Sequence, residues 1–242
     1  MLKKILLILP LFLLSNCLYS EKLTFSIDYL GFSVASVDFI KEHIEMNNII
    51  TVNAKSSGFI NFFAQSLDNK YIARNDHLYR PIQYLKDIDQ RDFEELSATT
   101  YDFINLSADY YDKVSQLSHT YPIQHDTKDF FTALYYLRTM NLKEEHTFTI
   151  DSAGKIWTIM CRYIKSEQLK SPVGTFQTNK VELSFKQFDD GKKLKGDMLT
   201  NNLVNEANVL SFWFTDDENQ IPVKAQYVMK PFNVNWTIRK IQ

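Results

Sequence analysis

Cysteine, glycine and proline are scarce in this chain: two, six and six of 242 residues. The two cysteines, Cys17 and Cys161, can form one pair at most, so no disulfide framework supports the fold and its stability has to come from an apolar core. No Pro/Gly/Ser-rich linker, low-complexity tract or repeat period interrupts the sequence, which favours one domain over two. A glycine-rich phosphate loop, a dinucleotide fingerprint and a G-x-S-x-G nucleophile elbow are all missing. Positive charge is not in excess either, with 27 Lys and Arg against 29 Asp and Glu and a formal net charge of −2. Without a basic run or basic residues interleaved with aromatics, the surface repels phosphate backbones, and no nucleic-acid partner is expected. Finally, no apolar run reaches the roughly 20 residues that a spanning helix needs.

The apolar run that does exist follows Lys3 and Lys4 and extends from Ile5 to Leu14. A positive start and a short apolar core are the marks of a secretory signal peptide. Residues 1–16 are therefore read as a removed leader and residues 17–242 as a single β-rich domain of the cell envelope. Two cleavage readings stand. Leu14-Ser15-Asn16-Cys17 resembles a lipobox, although Asn16 replaces the usual small residue, and Leu18-Tyr19-Ser20 suits an ordinary signal peptidase. The first is preferred, with Cys17 lipidated and the protein tethered to the periplasmic face of the outer membrane. Loss of Lys3 and Lys4 takes the net charge from −2 to −4. Cys161 is then left alone, and its expected role is a small buried apolar side chain on a strand.

Alternation of apolar and polar residues dominates what remains. Residues 22–29 place Leu23, Phe25, Ile27 and Tyr29 on one face, and residues 32–42 and 49–54 continue as returning strands after turns at Leu30-Gly31 and Met46-Asn47-Asn48. The apolar stretch at residues 58–67 is a short helix or an apolar lip. Residues 71–85, 91–103 and 107–118, rich in Tyr and Thr, read as one strand each. Further strands are expected at residues 147–150, 155–164, 181–188, 209–215, 223–229 and 233–238, with the turn Asp151-Ser152-Ala153-Gly154 making the clearest hairpin. One helix is expected, over about residues 127–141, capped by Asp126 or Thr127, with Asp129 in its first turn and Phe130, Leu134 and Leu137 turned inward. Tyr136 falls nearer the opposite face. The fold class is mainly β: a curved antiparallel sheet or partly closed barrel with this amphipathic helix packed on it.

Three stretches look familiar: Asp129-Phe-Phe-Thr-Ala-Leu-Tyr-Tyr-Leu-Arg138, Ser171-Pro-Val-Gly-Thr-Phe176, and Phe212-Trp-Phe-Thr-Asp-Asp217 followed by Ile221-Pro-Val-Lys224. In this order they resemble the exported bacterial family called domain of unknown function 3108, over the half from His125 onward. Thr132 stands where that family usually has serine, and a glycine often found soon after the first run is missing. The resemblance implies a periplasmic or outer-membrane-associated β protein and transfers no catalytic residue.

Each chemically suggestive cluster has a plain structural reading. His119, His125, Asp126 and Asp129 are the one local group of metal-compatible side chains, but their spacing matches no metal motif, and no metal or cofactor is expected. Asp216-Asp217-Glu218 could act as an acid pair, yet with Asn219-Gln220 it reads as a polar turn. Arg138 complements the helix dipole, or reaches a buried acid or a lipid head group. The aromatic load, 18 Phe, 13 Tyr and 3 Trp, is the most unusual feature, and part of it is a candidate cavity lining. The expectation is a non-enzymatic module that binds an apolar or amphipathic envelope molecule, with Phe130, Leu134 and Leu137 as candidate lining. A structural or assembly protein contacting another envelope protein is the alternative.

Overall fold

A computed structural model describes residues 20–56, 67–90, 92–188, 196–200, 203–229 and 232–242. The leader, Cys17, most of the apolar stretch at 58–67 and the Lys230-Pro231 junction lie outside the described residues.

Among the described residues the fold is one sheet of fifteen strands curved around one short helix. Eight strands come first: β1 (Ser20–Tyr29), β2 (Phe32–Ile44), β3 (Asn47–Ser56), β4 (Leu67–Asp76), β5 (Pro81–Gln90), β6 (Phe93–Asp102), β7 (Ser107–Asp112) and β8 (Leu117–Pro122). A two-residue strand, β9 (Lys128–Asp129), leads into the helix α1 (Phe130–Leu137). Six more strands follow: β10 (His146–Ser152), β11 (Lys155–Ser171), β12 (Gly174–Gln187), β13 (Val209–Thr215), β14 (Pro222–Met229) and β15 (Phe232–Ile241). The first eight form a meander from β8 back to β1, β15 pairs with β1, and the order runs on down to β9. All ladders are antiparallel apart from the β9–β10 pair. The sheet is not closed into a barrel, since β8 and β9 remain its two edges. Among the described residues no helix is long and apolar enough to cross a membrane.

Two expected strands are each two. Residues 71–85 contain the turn between β4 and β5, and residues 107–118 the turn between β7 and β8. Neither turn uses glycine or proline, which is why alternation ran through them. Asp76 accepts from the backbone N–H of Leu78 and Arg80, and Asp112 accepts from those of Val114 and Ser115. These aspartate side chains fold the backbone as a turn would, while Tyr79 and Gln116 take the left-handed conformation at φ 57° and 59°.

The helix is also shorter than the expected span of about residues 127–141. Lys128 and Asp129 are held in extended pairing by Ile150 and Asp151. Asp129, not Asp126 or Thr127, is the N-cap, accepting from the N–H of Phe131 and Thr132. Thr127 is otherwise engaged, its hydroxyl accepting from the N–H of Gln124 and bonding to the Thr149 hydroxyl.

Inside the curve the helix is buried on most sides. Phe131 is the hub, with ring centroids 5.7 Å from Phe39, 4.9 Å from Tyr71, 6.4 Å from Tyr84 and 5.3 Å from Phe130. Edge-on aromatic pairs of this kind add to the gain from area burial. Leu137 is fully buried, but Leu134 and Tyr136 are both half-buried, so the expected contrast between their faces does not hold. Tyr136 packs edge-on against Phe148.

Candidate functional site

The inner face of the sheet changes character along the chain. On β1 to β3 it is apolar, with Leu23, Phe25, Val37, Phe39, Val52 and Ala54. On β4 to β8 it is polar, with Asn69, Lys86, Glu95, Ser97 and Thr99 among buried tyrosines. Two cavities sit on the two sides of this change.

The first, of about 50 Å³, lies between the helix and the apolar half. Phe130 and Leu134 wall it from the helix, Phe25 and Phe39 from the early strands, and Phe212 and Trp236 from the late ones. As it stands it has room for a few water-sized groups, so anything longer must move side chains. Leu137, the third residue of the expected lining, belongs to the filled core and not to this wall.

Arg138 closes one side of the cavity. Its Nη1 and Nη2 donate to both carboxylate oxygens of Glu21 at 2.6 and 2.7 Å, and its Nε donates to the Asn219 carbonyl at 3.0 Å. Of the readings open for Arg138, reaching a buried acid describes this geometry. A two-pronged pair with most of its surface removed from water is strong in geometry, and it ties the helix end to the first residues of β1.

The second cavity, of about 10 Å³, is polar and lies among β5 to β7 and the β10–β11 turn. Its surroundings form a connected network. Asp197 accepts from the N–H of Leu199 and Thr200, from the Thr200 hydroxyl at 2.6 Å and from the Tyr71 hydroxyl at 2.6 Å, with the Lys86 ammonium at 3.3 Å. Asp129-Phe-Phe-Thr132 repeats the local motif of Asp197-Met-Leu-Thr200, one aspartate oxygen taking two backbone N–H groups and the other the threonine hydroxyl. Asp151 accepts from the hydroxyls of Tyr101 and Tyr121 and from the Gly154 N–H.

Burial and charge divide these acids. Burial alone would raise Asp197, but the Lys86 ammonium and the Thr200 and Tyr71 hydrogen bonds hold it below the usual carboxylate range. Asp129 has no cation bonded to it among the described residues, and burial pushes it up to about 6 against the bonds from Thr132 and Phe131, with the Asp151 charge adding to the rise. Asp151 is likewise raised by burial, with the Tyr121 and Tyr101 bonds opposing. Lys86 stays charged because Glu95 and Asp197 outweigh its desolvation.

The remaining sequence candidates are dispersed. His119 sits on the inner face of β8 between Tyr110 and Tyr121, 5.2 Å from each ring, while His125 is exposed in the loop and Asp126 accepts from the Thr149 hydroxyl. Among the described residues no group of three or more His, Cys, Asp or Glu could hold a metal ion. Asp216 and Asp217 form the turn between β13 and β14, where Asp217 accepts from the N–H of Asn219 and Gln220. Cys161 is buried, and desolvation pushes its thiol up to about 12. The buried network around Lys86 and Asp197 was not singled out from the sequence, although the paired Asp-x-x-Thr motifs were there to be read.

The family model described as "Protein of unknown function (DUF3108)" matches residues 24–232, well beyond the half that begins at His125. Nothing among curated proteins matches the chain. A crystal structure of a β-barrel-like protein of the domain of unknown function DUF1849 from Brucella abortus superposes with a TM-score of 0.57 at 10% identity, covering 92% of this chain and 96% of that one. That similarity shows a shared fold. A putative exported protein with a YmcC-like fold from Bacteroides fragilis gives a TM-score of 0.38 at 10% identity, covering 92% and 95% of the two chains. A putative lipoprotein from Parabacteroides distasonis gives 0.34 at 9% identity, with the same two coverages.

Proposed function

This chain belongs to the DUF3108 family, and from the interior its sheet encloses we propose that it is a non-enzymatic binding module of the bacterial cell envelope for an apolar or amphipathic molecule. The observation that carries the reading is the apolar cavity between the helix and β1, β2, β13, β14 and β15. Concave apolar space with a few fixed polar groups at its margin is the usual form of a small-molecule site, and here Arg138 and Gln226 supply that margin.

The address follows from the leader and Cys17. A lipid on Cys17 would tether the domain at the periplasmic face of the outer membrane. Only three residues separate Cys17 from Glu21, so the four-step reach between them is at most about 14 Å. Because Glu21 grips Arg138 in the cavity wall, the tether would hold that wall close to the bilayer, where apolar molecules are found.

A structural or assembly role is the second reading. It is favoured by a groove of about 370 Å³ on the outer face of β4 to β7, where Ile72, Leu85, Leu96 and Tyr111 lie between Lys70 and Lys113.

Iodobenzene tests the first reading, because its iodine quenches tryptophan and Trp236 lines the cavity. Saturable quenching that Ala225→Leu weakens by filling the space, with the urea midpoint unchanged, is the expected result. Native mass spectrometry of protein purified from membranes should then show an added mass. Absence of both saturable quenching and added mass would sink the binding reading and favour assembly.

A further inference from the structure

Two buried hydroxyls beside the helix have no hydrogen-bond partner among the described residues. Tyr84 and Ser152 are 6% and 4% exposed, both line the polar cavity, and neither side-chain oxygen has a hydrogen-bond partner among the described residues. A buried hydroxyl left unpaired has given up its bonds to water and received none in return, which is unfavourable. Their neighbours are engaged: Asp151 receives two phenols and a backbone N–H, while Lys86 lies against Asp197. The chamber has space for one water-sized group.

Among the described residues Phe130 is the one side chain that lines both this chamber and the apolar cavity. It therefore stands as the partition between them. We propose that the chamber is the polar end of a single amphipathic site, in which an apolar chain passes Phe130 and sets one uncharged hydroxyl between Tyr84 and Ser152. The proposal rests on the binding reading above and gives it a ligand class, apolar molecules ending in a hydroxyl.

Charge and size select that class. Asp151 is in the chamber wall, with Asp197 and Glu95 bonded to the residues that line it, and among the described residues Lys86 is the cation that faces them. A carboxylate or phosphate would meet this acid excess in a low-dielectric site. An ammonium would meet the like charge of Lys86, and Asp151 already accepts three hydrogen bonds. A hydroxyl both donates and accepts, and so do the hydroxyls of Tyr84 and Ser152.

The test uses 1-hexanol, hexanoate and hexylamine as competitors of iodobenzene quenching. Hexanol should compete at concentrations about tenfold below the other two, the ratio that corresponds to roughly 1.4 kcal/mol. Tyr84→Phe keeps the ring that stacks on Tyr71 and should remove most of this preference while leaving iodobenzene affinity unchanged, and Ser152→Ala should do the same. Urea midpoints confirm that both variants are folded. Equal competition by all three compounds, or an alcohol preference that survives both substitutions, overturns the proposal and leaves the cavity reading standing. Preferential competition by hexylamine overturns the hydroxyl assignment in favour of a cation. Failure of iodobenzene to bind the wild type removes the cavity reading and this one together.

Discussion

Replacing Asp129 by asparagine should stabilise the protein at neutral pH and not at acid pH. Asp129 is fully buried, caps the helix through the N–H groups of Phe131 and Thr132, and titrates at about 6 when folded against 3.8 for the free group. Between those two values the folded chain binds more protons than the unfolded one, so its stability falls as pH rises through that window. A rise of this size makes the ionised carboxylate a net cost of about 3 kcal/mol at pH 7.5, of which all but about half a kcal/mol is gone at pH 4. Asparagine keeps the oxygen that accepts both N–H groups, and its amide can donate to the Thr132 hydroxyl where the carboxylate now accepts from it. Urea unfolding of wild type and Asp129→Asn at the two pH values isolates this group, since the other buried acids are common to both chains. The variant should gain about 2–3 kcal/mol relative to wild type between pH 4 and pH 7.5. A difference that stays flat with pH, or runs the other way, refutes the claim that burial outweighs the capping bonds.

Arg138→Met should cost about 3–5 kcal/mol in urea unfolding by leaving Glu21 buried and unpaired, and adding Glu21→Leu should recover much of that loss. A double variant as unstable as the single one would show that packing, not charge, dominates there. Leu137→Ala should cost about 2–5 kcal/mol and Leu134→Ala, at a half-buried cavity wall, nearer 1; equal melting-temperature losses would contradict this placement. Cys17→Ser should release the protein into the soluble fraction, because a lipid is the one strong attachment read from the sequence; detergent-phase partitioning together with fatty-acid labelling decides it.

How much could be read beforehand depends on which signal each element uses. Strands β1 and β14 alternate cleanly, and turns such as Leu30-Gly31 and Ala153-Gly154 carry the glycine that a left-handed turn favours. Where aspartate makes the turn, as at Asp76 and Asp112, nothing interrupts the alternation and two strands read as one. The helix was legible from Phe130, Leu134 and Leu137, but its start was not. The β9–β10 pair is a tertiary contact, and it takes Lys128 and Asp129 away from a helix that local pattern alone would extend. Two of the three residues read as lining, Phe130 and Leu134, do face the cavity, whereas most of the rest of its wall comes from strands far apart in sequence. The polar network was hidden for the same reason: Tyr71 and Asp197 are 126 residues apart, and each looks ordinary where it stands.

The open seam of the sheet bears on how the interior can admit a ligand larger than its resting space. Edge strands β8 and β9 are linked by residues 123–127 alone, so the two ends of the sheet cannot lie far apart. What spans them is side chain and not backbone ladder: Tyr101 of β6 and Tyr121 of β8 both donate to Asp151 of β10. On the apolar side, by contrast, β1 pairs with β2 and β15 along nearly its whole length. Widening the interior there would break many ladder bonds, whereas widening it at the seam would release a few bonds to one carboxylate, each worth about 1.5–3 kcal/mol. Asp151 also lines the polar chamber, which places the cheaper expansion beside Tyr84, Ser152 and Phe130. An incoming chain of the proposed class that turned Phe130 aside would thus gain room on the side where the fold resists least.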